Sequence, residues 1–520
     1  MSVDTERELF HLNFIKPGEI QDFLSAQTYR PAITRAYDVI HELNNIPLQQ
    51  LSTVPIRQGG TPHFSENGFP CIKSKQTRGI LLSEKGHETV DPTHSKNKAI
   101  VHLEREDIVI TRQGAGTIGR ASIYLSNERS YITDSLFKIS PNHAICDACY
   151  LVSFLRTNVG QRLIEKGVYG STGQLNLSSS HIKMLPVFNV SMIAQKYVGN
   201  KIRQAEKMRA WSKILATKLD SFFLDYDLDD TGPIQLVSKA SPQLLTHILT
   251  ATTYKYEYVK NQENVRSQSS TKGIYDYLKS IANGYDERED VEDGLPYVKV
   301  AHVRPGLIEL NECSNVSYSS MNEASPKQVP KLGDLLLTRK GSFGIAAVVM
   351  EDENFLCSSE VFCCKPKNAA LMPVLAWFLN SKAGQLQFKQ FSTGTTMPGI
   401  NQENLANIVI PDFTYWDVSK FNDIYKNFYL ADRLSKALTT AAKIYVEEII
   451  DGHLSEAEIV SAQQALDAGD DSLDRALLER MTAEGIDSEG EPLFDDIDQL
   501  YDLLDQAKQA LDADDTMAEA

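Results

Sequence analysis

Between residues 194 and 222 the positions Ala194, Val198, Lys201, Ala205, Met208, Ser212, Leu215, Leu219 and Phe222 follow one another at steps of four and three. That rhythm keeps one seam of a helix turned toward a partner helix. The same rhythm returns at Phe421, Ile424, Phe428, Ala431, Ser435, Leu438, Ala442, Tyr445 and Ile449. Two long helices of like register are best explained by pairing with each other, and the polar intruders Lys201, Ser212 and Ser435 would fix that register at some cost in stability. A weaker helical spacing runs through Leu493, Ile497, Leu500, Leu504, Ala507 and Leu511, so the C-terminal segment is expected to be helical in parts.

Ahead of each long helix the pattern is different, with short apolar runs that end in glycine-rich turns. EDIVITRQGAGTIGRASI at 106–123 matches GDLLLTRKGSFGIAAVV at 333–349, pairing Asp107 with Asp334, Thr111 with Thr338, Arg112 with Arg339 and Gly114 with Gly341. PCIKSKQTRGIL (70–81) matches PYVKVAHVRPGLI (296–308), so Lys73 answers Lys299, and IRQG (56–59) faces IANG (281–284). FLRTNVGQ (154–161) matches FLNSKAGQ (378–385), and STGQLNLSSSHIKMLPV (171–187) matches STGTTMPGINQENLANIVI (392–410). Five blocks in constant order indicate two copies of one domain of about 150 residues, each followed by a helix.

Composition changes this picture in one respect. The chain has 520 residues, 42% of them hydrophobic, and a formal charge of −17. Residues 451–520 hold 21 acidic and 3 basic residues, which leaves the preceding 450 residues at about +1. The acidity therefore belongs to the tail, and a balanced body still has room for local basic surfaces. No apolar run approaches the roughly 20 residues of a membrane span, and MSVDTERELF lacks the features of a secretory signal, so a soluble, cytoplasmic protein is expected. Seven scattered cysteines fit reduced thiols, and Cys146-Asp-Ala-Cys149 lacks the second pair a zinc site requires.

Reaction chemistry is not visible. There is no Gly-Lys dipeptide for a phosphate-binding loop, and no HExxH, GxSxG or Asn/Asp-Pro-Pro-aromatic sequence. No catalytic residue, metal ligand or cofactor is therefore expected. Candidate binding residues are Arg57, Lys73, Thr111, Arg112, Ser171 and Thr172 in the first copy, and Lys299, Thr338, Arg339, Lys340, Ser392, Thr393, Thr395 and Thr396 in the second. Arg112 and Arg339 suit a phosphate or a guanine edge, or else a nearby carboxylate. Lys73 and Lys299 suit phosphates. The Ser-Thr pairs suit a close phosphate or a self-capping turn. Gly114, Gly119, Gly341 and Gly344 read as hairpin scaffold. Shared residues are better scaffold candidates than recognition residues, which puts recognition where the copies diverge: His63 to Asn67, Lys85 to Lys98, and Tyr285 to Asp290.

RQGGTP at 57–62, the two strand-turn segments and STGTTMPGINQENLANIVIP at 392–411 resemble the specificity subunits of Type I restriction-modification systems, over roughly residues 45–450. The resemblance implies an α+β chain: two mixed α/β target recognition domains separated by two long helices that pair as an antiparallel coiled coil, with an acidic helical C-terminal tail added. On it the chain divides into an N-terminal extension (1–44), recognition domain 1 (45–190), a first helix (191–224), a linker (225–244), recognition domain 2 (245–412), a second helix (413–450) and the acidic extension (451–520). It implies double-stranded DNA as ligand, read as a bipartite site. The implied partners are two adenine-N6 methyltransferase subunits, which would hold the S-adenosylmethionine, and a motor-nuclease subunit in a restricting complex. A helix of about 30 residues, roughly 45 Å long, would then separate the half-site centres by about 13 base pairs. The rival reading is a cytoplasmic scaffold with two protein-binding domains joined by a coiled coil. The tail is open to three readings: a solvated segment, a dock for a partner's basic face, or a competitor for the DNA channel.

Overall fold

The computed structural model describes residues 12–17, 20, 25–83, 86–114, 116–170, 175–227, 237–394 and 398–518. They fall into two compact units: residues 1–210 with 432–520, and residues 211–431. Helices and strands are mixed throughout both. Among the described residues no helix is long and apolar enough to cross a membrane.

The first unit contains strands β1 (Arg57–Gln58), β2 (Phe64–Ser65), β3 (Phe69–Ile72), β4 (Glu88–Val90), β5 (Val101–Leu103), β6 (Ile108–Thr111), β7 (Ala121–Ile123), β8 (Ser130–Ile132) and β9 (Leu136–Ile139). Four of them form an inner sheet in the order β1-β9-β6-β7, and the other five an outer sheet in the order β2-β4-β3-β8-β5, in which β3 and β8 run parallel. Ile108 to Thr111 are all buried, so this strand reads as a continuous apolar run without alternation. Helices α1 (Ala148–Arg156) and α2 (Asn158–Glu165) follow, the second capped by the Thr157 hydroxyl accepting from the Gly160 amide. Residues 45–47 pair antiparallel with 186–188, which brings the ends of this copy together.

The second unit repeats the plan with β10 (Leu278–Asn283), β11 (Leu295–Val298), β12 (Ser314–Val316), β13 (Leu335–Thr338), β14 (Ala346–Val348), β15 (Leu356–Cys357) and β16 (Val361–Pro366). Its inner sheet is ordered β10-β16-β13-β14, and its outer one β12-β11-β15 with β11 and β15 parallel. Residues 271–273 pair with 409–411 as 45–47 do with 186–188. The shared blocks thus mark a shared scaffold, position by position. Ile72, Val109, Ile132 and Leu136 lie in one buried cluster, and their counterparts Val298, Leu336, Cys357 and Val361 in another.

The long helices are α3 (Met192–Ser221) and α4 (Ser419–Asp451). In the first unit the rings of Tyr197 and Tyr445 meet at 5.3 Å, and the Ser435 hydroxyl donates to the Ala205 carbonyl at 2.7 Å. In the second unit the Ser212 hydroxyl donates to the Phe428 carbonyl at 3.4 Å, and the rings of Phe222 and Phe421 lie 5.2 Å apart. Opposed numbers that rise on one helix as they fall on the other make the pairing antiparallel. The serines expected to set register bond across the seam to the facing backbone.

Lys201 does something the seam pattern did not foretell. Helices α5 (Glu456–Asp467), α6 (Ser472–Glu479) and α7 (Ile497–Ala518) form the acidic extension, and Asp474 of α6 is buried with Lys201, its carboxylate oxygens 2.6 and 2.7 Å from Nζ. The hydroxyls of Tyr197 and Tyr501 donate to the same carboxylate. Burial pushes the Asp474 carboxyl up, but Lys201 and the two hydroxyls outweigh it and hold the group below the ordinary range. The expectation of a solvated tail is corrected here, because an extension whose aspartate neutralises a buried lysine is part of the folded unit.

Candidate nucleic-acid interface

The matched turns come first, because the sequence singled them out. Thr111 and Thr338 are buried. The Thr111 hydroxyl lies 2.8 Å from that of Thr77, while the Thr338 hydroxyl donates to the Ser342 carbonyl and accepts from the Ile345 amide. Half-buried Arg112 and Arg339 use their guanidinium groups identically, each donating through Nη1 at 3.1 Å to a carbonyl at an equivalent place, Asp134 in one copy and Ser359 in the other. Arg339 also lies over the ring of Phe362 at 5.3 Å. These four side chains tie the turn to the neighbouring segment. Behind each turn stands a glycine at positive φ, Gly119 at +82° and Gly344 at +84°. A Cβ there would come within 3.0 Å of Ile164 or 2.7 Å of Phe388, so the turn demands glycine on two counts.

The other candidates are spread more widely. Arg57 is exposed on β1 and Lys340 is exposed in its turn, and among the described residues no ion pair engages either. Ser392 donates to the Lys389 carbonyl, and Thr393 exchanges two backbone hydrogen bonds with Gly399. Ser171, Thr172, Thr395 and Thr396 lie outside the described residues. Lys73 sits 2.6 Å from Glu88 and 4.1 Å from the Phe64 ring centroid. Lys299 reaches Asp290 at 3.2 Å and the Ser314 hydroxyl at 3.1 Å, and Ser314, then Lys299, hold the Asp290 carboxyl below its usual range.

Where the copies diverge, the structure assembles a surface. The segment His63 to Asn67 and the stretch after Lys85 meet as β2 and β4, with Phe64 opposite Val90; Lys85 itself lies outside the described residues. Asn97 clamps His63, accepting from its amide and donating to its carbonyl. Phe64 is 45% exposed and Phe69 40%, two large apolar side chains on the strands that flank β4. In the second copy Tyr285 to Asp290 is tied down instead: the Tyr285 hydroxyl donates to Glu323, and the Tyr297 hydroxyl to the Tyr285 carbonyl.

Sequence reasoning missed two constructions that hold this surface in place. One is a buried ion pair at the foot of each turn, Asp107 with Lys138 and Asp334 with Lys365. Its aspartates were visible as a matched pair, but the lysine is supplied two positions further along the strand in the second copy, so no alignment of lysines reveals it. The other is a glutamine clamp. Gln161 donates to the carbonyls of Leu155 and Gly119, and Gln385 to those of Leu379 and Gly344. Both glutamines close their matched blocks, which was the available signal. The CxxC cysteines are packing residues: burial pushes the Cys146 thiol up to about 12 and Cys149 higher. Among the described residues no group of histidine, cysteine or carboxylate side chains is arranged to hold a metal ion.

Comparison with known proteins bears chiefly on the second copy. Residues 253–411 match the family model of the Type I restriction modification DNA specificity domain. Over 124 residues, 24% of this chain, the sequence is 26% identical to the Type I restriction enzyme EcoBI specificity subunit of Escherichia coli. The chain spans about a quarter of that relative's length (26%). Among solved structures, a Type I restriction-modification S subunit from M. genitalium is 12% identical, with 81% of this chain and 96% of that one covered, at a TM-score of 0.35. The HsdS subunit from Thermoanaerobacter tengcongensis is also 12% identical, at 82% and 96% coverage and a TM-score of 0.22. Scores of this size do not equate two folds, and the likeness rests on the sequence match over the second copy. Residues 253–411 are thus similar to the Type I restriction modification DNA specificity domain.

Proposed function

We propose that this chain is the DNA-reading subunit of a modification complex, in which each copy of the repeated domain reads one half of a bipartite asymmetric site. The observation that carries this reading is the division of labour within the copies. Their inner clusters share residues at equivalent positions, Ile72, Val109, Ile132 and Leu136 against Val298, Leu336, Cys357 and Val361, whereas the outer sheets and the segments over them differ in strand number, composition and cover. Two readers of unlike half-sites need one scaffold and two different surfaces. Arg57 and Lys340, exposed and unpaired, would fix register on phosphates, a role separate from base reading. The chemistry would come from two adenine-N6 methyltransferase subunits docked on the paired helices, joined by a motor-nuclease subunit where the complex restricts. On this reading the protein works in the cytoplasm and is not itself an enzyme.

Co-expression with a partner adenine-N6 methyltransferase, followed by long-read mapping of modified adenines, tests the proposal. The expected result is one split motif with a fixed gap, and an active complex without any motif would defeat it. The rival scaffold reading draws support from the near-neutral charge of residues 1–450. It predicts no salt-dependent affinity for duplex DNA, whereas a DNA reader loses affinity steeply as salt rises.

A further inference from the structure

Arg129 lies at the entrance to β8 and is exposed. Its guanidinium carbon is 5.7 Å from the centroid of the Phe69 ring and 5.4 Å from that of Tyr131, and those two rings are themselves 6.0 Å apart. Among the described residues no carboxylate pairs with it, in contrast to neighbouring Lys73, whose charge Glu88 takes up. Stacking on two rings holds a planar cation in place without consuming its donors. Beneath it Tyr131 is only 3% exposed, and its hydroxyl finds no hydrogen-bond partner among the described residues.

None of this recurs in the second copy. The register of the parallel strands places Leu356 where the first copy has Tyr131, and Leu295 stands in place of Phe69, with Asn354 in place of Arg129. There the same face of the sheet is closed by Val316, Ala324 and Val329. A fixed, exposed and uncompensated arginine therefore stands on the layer that differs between copies, on the surface where β2 and β4 already bring the divergent segments together.

We infer that Arg129 reads a guanine edge in the half-site bound by the first copy, with Phe69 and Tyr131 as positioning residues; this rests on the reading of the chain as a DNA-recognition subunit. Guanine presents two adjacent acceptors, O6 and N7, in the major groove, and the guanidinium fork matches both at once. The ammonium of a lysine offers one point charge and cannot reproduce the fork.

The test uses the full chain co-expressed with its methyltransferase, with motif mapping and binding of the purified complex to duplexes that carry each single base-pair change of the mapped motif. A split motif from the wild type establishes the underlying reading, and its absence would defeat that reading before Arg129 is considered. Given the motif, Arg129→Ala is expected to make one G·C position in one half-site tolerant of substitution, to weaken cognate binding on the order of tenfold, and to leave the other half-site as selective as before. Selectivity kept at the remaining positions of the same half-site reports that the first copy is folded. Arg129→Lys is expected to restore the salt slope without restoring that position's selectivity. An unchanged motif with unchanged affinity would overturn the inference, as would a loss spread evenly over all positions, which is the signature of a phosphate contact.

Discussion

The two units solve the same packing problem with opposite materials. Around the paired helices the second unit is aromatic: Phe223 meets the rings of Phe378, Phe413, Trp416 and Phe421, and Trp377 meets Phe428 at 5.1 Å. In the first unit the corresponding stretch of helix encloses Lys201, Asp474 and the hydroxyls of Tyr197, Tyr445 and Tyr501. Aromatic packing tolerates gradual loss, because each contact is small and independent. A buried charge network does not, since removal of one member leaves the others desolvated and unpaired. The difference teaches that the acidic extension is a structural requirement of the first unit, where it supplies the counter-charge to a lysine in the helix seam.

The largest expected effect breaks that network. Asp474→Ala strands Lys201 at 1% exposure and should destabilise the first unit by about 3–5 kcal/mol. Hydrogen exchange should show lost protection in residues 191–210 and 432–518 while 253–411 keep theirs. The double change Lys201→Met with Asp474→Leu should recover part of the loss, because it removes both buried charges while the hydroxyls of Tyr197 and Tyr501 still lose their acceptor. Acid separates the two variants further. The folded Asp474 carboxyl lies below the unfolded value of about 3.9, so its contribution is fully present above that pH and is lost as pH falls through the folded value. The double variant should lack this acid-dependent step, and its persistence would show that other carboxylates cause it.

A middle-sized effect sharpens the likeness of the copies. Gly59 and Gly284 occupy equivalent strand ends, and a Cβ at either would lie 2.1–2.5 Å from carbonyl oxygens of the neighbouring segment, Thr133 and Ile132 in one copy, Cys357 and Ser358 in the other. Backbone cannot swing aside as a side chain can, so Gly59→Ala and Gly284→Ala should each cost about 1–3 kcal/mol in thermal denaturation. Unequal costs, with one variant as stable as the wild type, would mean that the inner scaffolds are less alike than their register indicates.

How much of this was legible follows from how local each feature is. The copies announced themselves because the residues that make a turn, Thr-Arg followed by glycine, sit close together in the chain and are constrained by backbone geometry wherever the turn is used. The helix seam was legible for the same reason, as a rhythm. The outer layers were not, because non-equivalent segments build them: β4 and β5 in one copy, residues 314–329 in the other. Nor could the role of Lys201 be read, since its partner lies 273 residues further on in a segment whose composition suggested solvent. The aromatic support of Arg129 was hidden in turn by strand pairing that joins Phe69 to residues 60 positions away.

The smallest expected effect concerns the residues that first drew notice. Arg112→Ala and Arg339→Ala each remove one hydrogen bond to a carbonyl, from Asp134 and Ser359 respectively, and should lower stability by about 1 kcal/mol. Because both copies use the guanidinium in the same way, neither arginine can by itself tell one half-site from the other. Mapped motifs from the two variants should therefore match the wild type base for base, with any loss of DNA affinity uniform across sequences and shallow in its salt dependence. A motif relaxed at one position in Arg112→Ala, and at a different base in Arg339→Ala, would show instead that the shared turn reads sequence, and would move the readers from the divergent layer back to the scaffold.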